Sequence, residues 1–344
     1  MRIGYLLPSS ISLSGPGNGI RAEVLFRAEA LQKQGHDIVR VEPWDLTNLE
    51  ELDVLHFMVG GFGTHGIENR PSYPAKFLVW GPIIDTNEPM WRYRLAAAAG
   101  SLLPKFFTIP GVFRAQAQAA DLVIVRSTHE HQRVTAGLGI DPAKVEIVLG
   151  GVNPPPPVDP DLVRQRFDLP DEFALHVSKF TQGRKNVLNL IEAILPTKIP
   201  LVIAGSRTPG PVLDRIEQLA KEHPDQIKIL GFLQREELDA LYAACRIFCL
   251  PSTHEGIGLV ALEAAALGAG VVITRHGGPP DYFTDLARYT SPGNVDEIRN
   301  AIQQAWDDPR GEQLRDHVLT NLTWDQHATN IADTYAKHRS RLGL

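Results

Sequence analysis

The sequence predicts two successive α/β domains, each built on a parallel sheet covered by helices on both faces. Three observations predict it. The chain has 344 residues, enough for two domains of about 150 each. Short apolar runs alternate with stretches long enough for crossover helices. A proline-rich stretch, Asn153-Pro154-Pro155-Pro156-Pro157-Val158-Asp159-Pro160, divides two such series. Four consecutive prolines lack amide donors and hold the chain extended, so this stretch reads as a stiff linker.

The elements follow in order. Met1 to Leu7 is a strand, followed by the Gly-rich stretch Ser14-Gly15-Pro16-Gly17-Asn18-Gly19. A helix starts there, because Ile20, Val24, Leu25, Ala28 and Leu31 recur at helical spacing and Gly35 is a natural stop. Further strands are expected at Asp37 to Val41, Val54 to Met58, Lys76 to Trp80, Leu122 to Val125 and Val145 to Val148. Beyond the linker they are expected at Phe173 to Val177, Leu201 to Ala204, Ile227 to Leu230, Ile247 to Leu250 and Val271 to Thr274. The expected division is therefore 1–153, a linker 154–161, and 162–323, with a terminal helical segment in 324–344 that could pack on either domain. Ligands of open parallel sheets collect at the carboxyl ends of the strands, and two such domains facing each other would enclose a cleft.

Composition narrows the function. Forty-three per cent apolar and 22% charged residues describe ordinary globular cores and exclude a fibrous or wholly disordered protein. Thirty-four basic against 40 acidic side chains give a formal charge of −6, which points away from nucleic acid as a partner. Two cysteines make no disulfide framework and fit a reducing compartment. No apolar run reaches the roughly 18 residues of a membrane span. The start, MRIGYLLPSS, has its apolar stretch broken by Pro8 and does not resemble an export signal, so a cytoplasmic protein is expected.

The most informative segment is Pro251-Ser252-Thr253-His254-Glu255-Gly256-Ile257-Gly258-Leu259-Val260-Ala261-Leu262-Glu263. It places Glu255 at a strand's carboxyl end, then a glycine-containing turn, then a helix carrying Glu263. Amides of Gly256, Ile257, Gly258 and Leu259 would be unpaired helix N-terminal donors, which attract phosphate. Leu259 and Glu263 share a helical face, with Glu263 about 6 Å further along. Taken singly, Glu255 reads equally as a helix cap and Glu263 as an ordinary acid near a helix start. A second segment, Val177-Ser178-Lys179-Phe180-Thr181-Gln182-Gly183-Arg184-Lys185-Asn186, follows another strand. Lys179 and Lys185 could converge on one anion. Basic charge at the start of the expected helix Asn186 to Ile194 opposes the helix dipole unless an anion is bound; the plain alternative is a pair of solvated lysines.

With these segments in view, the sequence resembles retaining glycosyltransferases of the GT-B fold, specifically glycosyltransferase family four. Their Glu, seven residues, Glu signature is matched by Glu255 and Glu263. Also similar are Asn18-Gly19, Gly35-His36-Asp37-Ile38-Val39, Ala120-Asp121-Leu122-Val123-Ile124-Val125, Gly150-Gly151-Val152-Asn153, Ile203-Ala204-Gly205, Gly231-Phe232-Leu233 and Tyr242 to Ser252. The resemblance spans most of the chain and is weakest in 60–115. It implies two Rossmann-like domains and transfer of a hexose from a nucleoside-diphosphate sugar, with UDP and GDP both open. The acceptor would be a saccharide or lipid-linked hydroxyl in glycan, polysaccharide or glycolipid synthesis. It implies that Glu255 contacts sugar hydroxyls and Glu263 the ribose, and that Lys185 binds phosphate. Lys179 stands where an arginine is usual, which keeps the charge but not bidentate geometry. Gly205 and Leu233 would border the base, and Gly17, Asn18 and Gly19 would approach the donor or acceptor from the facing domain. Where relatives often carry His-Gly beside the transferred sugar, this chain has Trp80-Gly81. Trp80 cannot accept a proton, leaving Asp85, His56 or an altered donor preference. The implied mechanism needs no metal and no cofactor beyond the donor: cations neutralise the departing diphosphate, which takes the acceptor's proton on the same face.

Other signals are discounted. Asp159-Pro160-Asp161 lies at the linker, His129-Glu130-His131 lacks a third metal ligand, and Cys245 and Cys249 read as small core residues. Residues 89–120 contain no acid but interleave Arg92, Arg94, Lys105 and Arg114 with Trp91, Tyr93, Phe106 and Phe107. This is either a face for an anionic membrane or lipid-linked acceptor, or a helix pair with buried aromatics. Two rivals remain. A nicotinamide-dependent oxidoreductase would use Gly15 to Gly19, though the third glycine comes one place early. A nucleotide-sugar-binding protein that had lost turnover would account for Trp80.

Overall fold

A computed structural model describes the chain except residues 13–18, 43–48, 65, 68, 70–75 and 103–106. The chain divides into two compact units, Met1–Gly151 with Trp324–Leu344, and Val152–Thr323.

In the first unit, β1 (Arg2–Leu6), β2 (Asp37–Val41), β3 (Val54–Val59), β4 (Leu78–Pro82), β5 (Leu122–Val125) and β6 (Val145–Ile147) form a parallel sheet in the order β2-β1-β3-β4-β5-β6. Strands β3 to β5 are buried almost throughout and, His56 apart, are largely apolar, as burial beneath helices requires. The helix Gly19–Lys33 differs in detail from the expected one: Leu25 faces outward, while Glu23 and Arg27 are buried and bonded to each other at 2.9 Å. Arg27 occupies the apolar stripe because its guanidinium has that partner. The terminal helix, Trp324–Arg341, belongs to this unit. Its buried face carries Trp324, His327, Ile331 and Tyr335, and the Tyr335 hydroxyl bonds His56 Nδ1 at 2.6 Å.

In the second unit, β7 (Ala174–Val177), β8 (Leu201–Ala204), β9 (Ile227–Gly231), β10 (Ile247–Leu250), β11 (Gly270–Thr274) and β12 (Arg288–Thr290) run parallel in the order β12-β11-β10-β7-β8-β9. The order reverses between β7 and β10, and the loops leaving these two neighbours carry the two segments singled out above. Strand β12 escapes a reading by apolar runs, since Arg288-Tyr289-Thr290 is short and half polar.

The expected linker ends early. Asp159 caps the helix Pro160–Phe167 by accepting from Asp161 N, and Pro160 at the first helical position needs no donor of its own. Among the described residues no three His, Cys, Asp or Glu side chains group as a metal site, and no helix is long and apolar enough to cross a membrane.

Candidate functional site in the second unit

The site is built where β7 and β10 lie side by side. After β7, Phe180 is fully buried and anchors a loop that ends in the one-turn 3-10 helix Gly183–Lys185. Asn186 follows at φ 58°, a left-handed conformation that asparagine tolerates. Its side-chain amide donates to the carbonyls of Pro251 at 3.0 Å and Pro292 at 2.8 Å. Thr253 N donates to the Arg184 carbonyl at 2.8 Å, and Arg184 Nη1 to the His254 carbonyl at 2.6 Å. The two loops are thus stitched together through main chain as well as side chain.

This geometry corrects the helix-dipole argument for Lys185. The helix starts at Val187, after the left-handed Asn186, so Lys185 is not in its first turn. Its charge is matched by a side chain instead: Lys185 Nζ lies 2.7 Å from Glu255 Oε1, with Arg184 Nη1 3.3 Å from the same oxygen. Lys179 is exposed and makes no ion pair with this carboxylate. Burial alone would raise the Glu255 carboxyl, but Lys185 and Arg184 outweigh it and hold the group below the usual carboxylate range. Setting His254 aside, the two loops carry three cations, Lys179, Arg184 and Lys185, against Glu255 alone.

Glycines set the floor. Gly205, at φ 119°, lies so close that a Cβ there would meet the Ser178 carbonyl oxygen at 2.0 Å. Gly277, at φ 107°, would place a Cβ 1.9 Å from the Glu255 carbonyl oxygen, and Gly278 N donates to that oxygen at 3.0 Å. Beneath the loop, His176 Nδ1 contacts the Cys249 carbonyl at 2.7 Å and Nε2 the Ser178 hydroxyl at 2.7 Å. A carbonyl only accepts, so the proton sits on Nδ1 and Ser178 donates to Nε2. Burial pushes His176 down to about 4, which keeps it neutral.

Gly258, at φ 82°, begins the helix Leu259–Ala266, where Glu263 lies one turn past Leu259. Its carboxylate is not free: Arg235 Nη1 reaches Oε1 at 2.6 Å. The Ile257 side chain is buried, and so is most of Leu233. Sequence reasoning missed two arginines. Arg184 was visible beside Lys185; nothing in the spacing marks Arg235, which stands 28 residues before its partner.

Gly17 and Asn18 lie outside the described residues, and Gly19 is the first residue of its helix. Trp80 is fully buried against Phe57 and Phe113, so its indole is core rather than a substitute for a ligand-facing imidazole. His56 is equally buried under Tyr5 and Tyr335, and Asp85 pairs with Arg126 at 3.5 Å. Cys245 and Cys249 are buried free thiols, pushed up by burial. Glu130 accepts from Arg126, which lies just before the helix Thr128–Gln132. Of the aromatics in 89–120, Tyr93 is buried beneath Arg133, whereas Trp91 and Phe107 are exposed; Lys105 and Phe106 are outside the described residues.

Residues 161–321 match the family model described as glycosyl transferases group 1. The matched residues, nearly all of the second unit, are a domain of that family. The chain is 33% identical over 167 residues to the serotype-specific mannosyltransferase WbdA of Escherichia coli, a match that covers 46% of this chain and 20% of WbdA. It therefore spans only about a fifth of that curated relative. Among solved structures it is similar to sucrose-phosphate synthase from Thermosynechococcus elongatus, with 19% identity, a TM-score of 0.76 and coverage of 99% and 100% of the two chains. It is also similar to Anabaena HepE in complex with UDP, at 18% identity and a TM-score of 0.74, covering 98% and 100%. The fold is GT-B, two six-stranded parallel sheets with flanking helices.

Proposed function

We propose that this chain is a retaining hexosyltransferase that moves a sugar from a UDP- or GDP-linked donor to an acceptor hydroxyl of a glycan, polysaccharide or glycolipid. The observation that carries the reading is the surplus of positive charge at the switch point of the second sheet, where Lys185, Arg184 and Glu255 are tied together at 2.7 and 3.3 Å. A diphosphate gains negative charge as the bond to the sugar breaks, and fixed cations stabilise it most in that state. In this reading Lys185, with Arg184 and Lys179, takes the diphosphate, and the amides of Gly256, Ile257, Gly258 and Leu259 add donors. Ile257 contributes main chain alone, since its side chain is buried. Glu255, released from Lys185 in part, accepts from sugar hydroxyls, Glu263 accepts from the ribose, and Gly205 and Leu233 border the base. The acceptor's proton passes to the departing phosphate on the same face, so configuration is retained without a protein base.

The mannosyltransferase name of WbdA supports a mannosyl donor, and the UDP bound to HepE supports a uridine one. A membrane partner is supported by the exposed side chains of Trp91, Leu95, Phe107 and Ile109 beside Arg92 and Arg94, and the protein would then work at the inner face of a cytoplasmic membrane. The test is release of nucleoside diphosphate from a panel of UDP- and GDP-sugars, with and without EDTA. Release from one donor class that survives chelation supports the reading; no release from any, or activity restored only by manganese, contradicts it.

A further inference from the structure

The helix Arg235–Ala244 begins beside the helix Leu259–Ala266, and one guanidinium joins them. Arg235 grips Asp239 through Nη2 at 2.7 Å and Nε at 3.0 Å, which fixes the plane of the fork from within its own helix. The remaining edge presents Nη1 to Glu263 Oε1 at 2.6 Å. The three groups differ in exposure: the Asp239 side chain is 3% exposed, Glu263 19% and Arg235 52%. The buried acid is thus the anchor, and the arginine lies between it and an acid that is open to a ligand on one side. The Tyr242 ring is fully buried in the same helix and borders the same carboxylate.

We propose that Arg235 is a positioning residue for Glu263, fixing the direction and the negative charge with which Glu263 accepts hydrogen bonds from the hydroxyls of a bound nucleoside diphosphate. The inference rests on the reading of Glu263 as a donor contact. A carboxylate that receives two hydroxyls of a cis-diol needs both oxygens correctly aimed, and it needs to be ionised, since a protonated carboxyl loses acceptor capacity. Around Glu263 the charged and titratable groups are Arg235, Asp239 and Tyr242. Burial raises the Glu263 carboxyl, Arg235 opposes that, and the like charge of Asp239 reinforces it; the balance remains above the ordinary value. Without the arginine, the same burial and the same neighbouring acid would be opposed by the Tyr242 hydroxyl alone among these groups. Arg235 is also well placed to act only through Glu263, because its fork is already occupied at three contacts by the two acids.

The experiment is calorimetric titration of UDP and GDP into the wild type, R235Q, R235K, D239N and E263Q between pH 5.5 and 8.5, with melting temperatures taken alongside. R235Q is expected to bind about tenfold more weakly than wild type at pH 6, the scale of one charged hydrogen bond, and to recover toward pH 8.5 as Glu263 ionises. R235K should retain most of the affinity, D239N should move the acidic loss of binding to lower pH, and E263Q should bind weakly at every pH. Wild-type affinity in R235Q across the whole range, with E263Q weakened, overturns the positioning role and leaves the reading of Glu263 standing. A pH-independent loss in R235Q that follows a lowered melting temperature makes Arg235 a strap between helices and overturns the proposal equally. Wild-type affinity in E263Q sinks the donor-contact reading itself.

Discussion

Lys185 Nζ and Glu255 Oε1 lie 2.7 Å apart, with side chains only 11% and 7% exposed. A pair this enclosed is poorly hydrated, so removing one partner leaves the other's charge less well compensated. Lys185→Ala is expected to lower donor turnover about 10²- to 10³-fold, or roughly 3 to 4 kcal/mol of transition-state stabilisation. Because Glu255 would remain, held by Arg184 at 3.3 Å, the combined Lys185→Ala, Glu255→Gln variant should lose far less than the sum of the two single losses. Additive losses in initial-rate measurements would mean that the pair does not act as a unit.

Gly205 has no room for a methyl group beside the β7 loop. A Cβ would sit 2.0 Å from the Ser178 carbonyl, at a φ of 119°. Gly205→Ala should cost about 2 to 4 kcal/mol in urea unfolding. Gly183 supplies the control: nothing lies within 4 Å of its Cβ direction, and Gly183→Ala should stay within about 0.5 kcal/mol. Equal midpoints for the two variants would contradict the close approach.

Acid should weaken the second unit before its carboxylates titrate. His176 is held neutral down to about 4, whereas an unfolded histidine takes its proton near about 6.5. Between those values the unfolded chain binds more protons, so stability rises with pH across the window and is lost on acidification, by about 3 kcal/mol in all. Glu255 works in the other direction of shift: its lowered carboxyl contributes stability that is lost only as pH falls below the ordinary carboxylate range. Urea unfolding of wild type and His176→Gln from pH 7 to pH 4.5 should show a steep slope in the former and a flatter one in the latter. Parallel slopes would exclude His176 as the cause.

The exposed Trp91 and Leu95 lie four residues apart on the helix Met90–Leu102, on one helical stripe flanked by Arg92 and Arg94. Sedimentation with anionic vesicles should pull down the wild type and leave Trp91→Ser, Leu95→Ser in solution, with neutral vesicles binding neither. Binding that ignores lipid charge, or no binding, would remove the membrane from the account.

Much of the fold was legible because strands buried on both faces are written as plain apolar runs: Leu122–Val125 and Ile247–Leu250 needed no other signal. Arg288–Thr290 was not legible, since an edge strand can be short and polar. In the site, Glu255, Glu263 and Lys185 stood out by position after a strand. Their partners in space did not, because Lys185 to Glu255 spans 70 residues and Arg235 to Glu263 spans 28, and pairing across that distance is set by strand order. The terminal helix was undecided for the same reason: what assigns it to the first unit is the contact of Tyr335 with His56, 279 residues earlier.

The most direct test of a diphosphate at Lys185 is calorimetric titration of UDP, GDP and their nucleosides into the wild type and Lys185→Met. Both diphosphates, or one, should bind the wild type well above its nucleoside, and Lys185→Met should lose at least about tenfold for the diphosphate with the nucleoside unchanged. Diphosphates that bind no better than nucleosides, or with undiminished affinity for the variant, would contradict it.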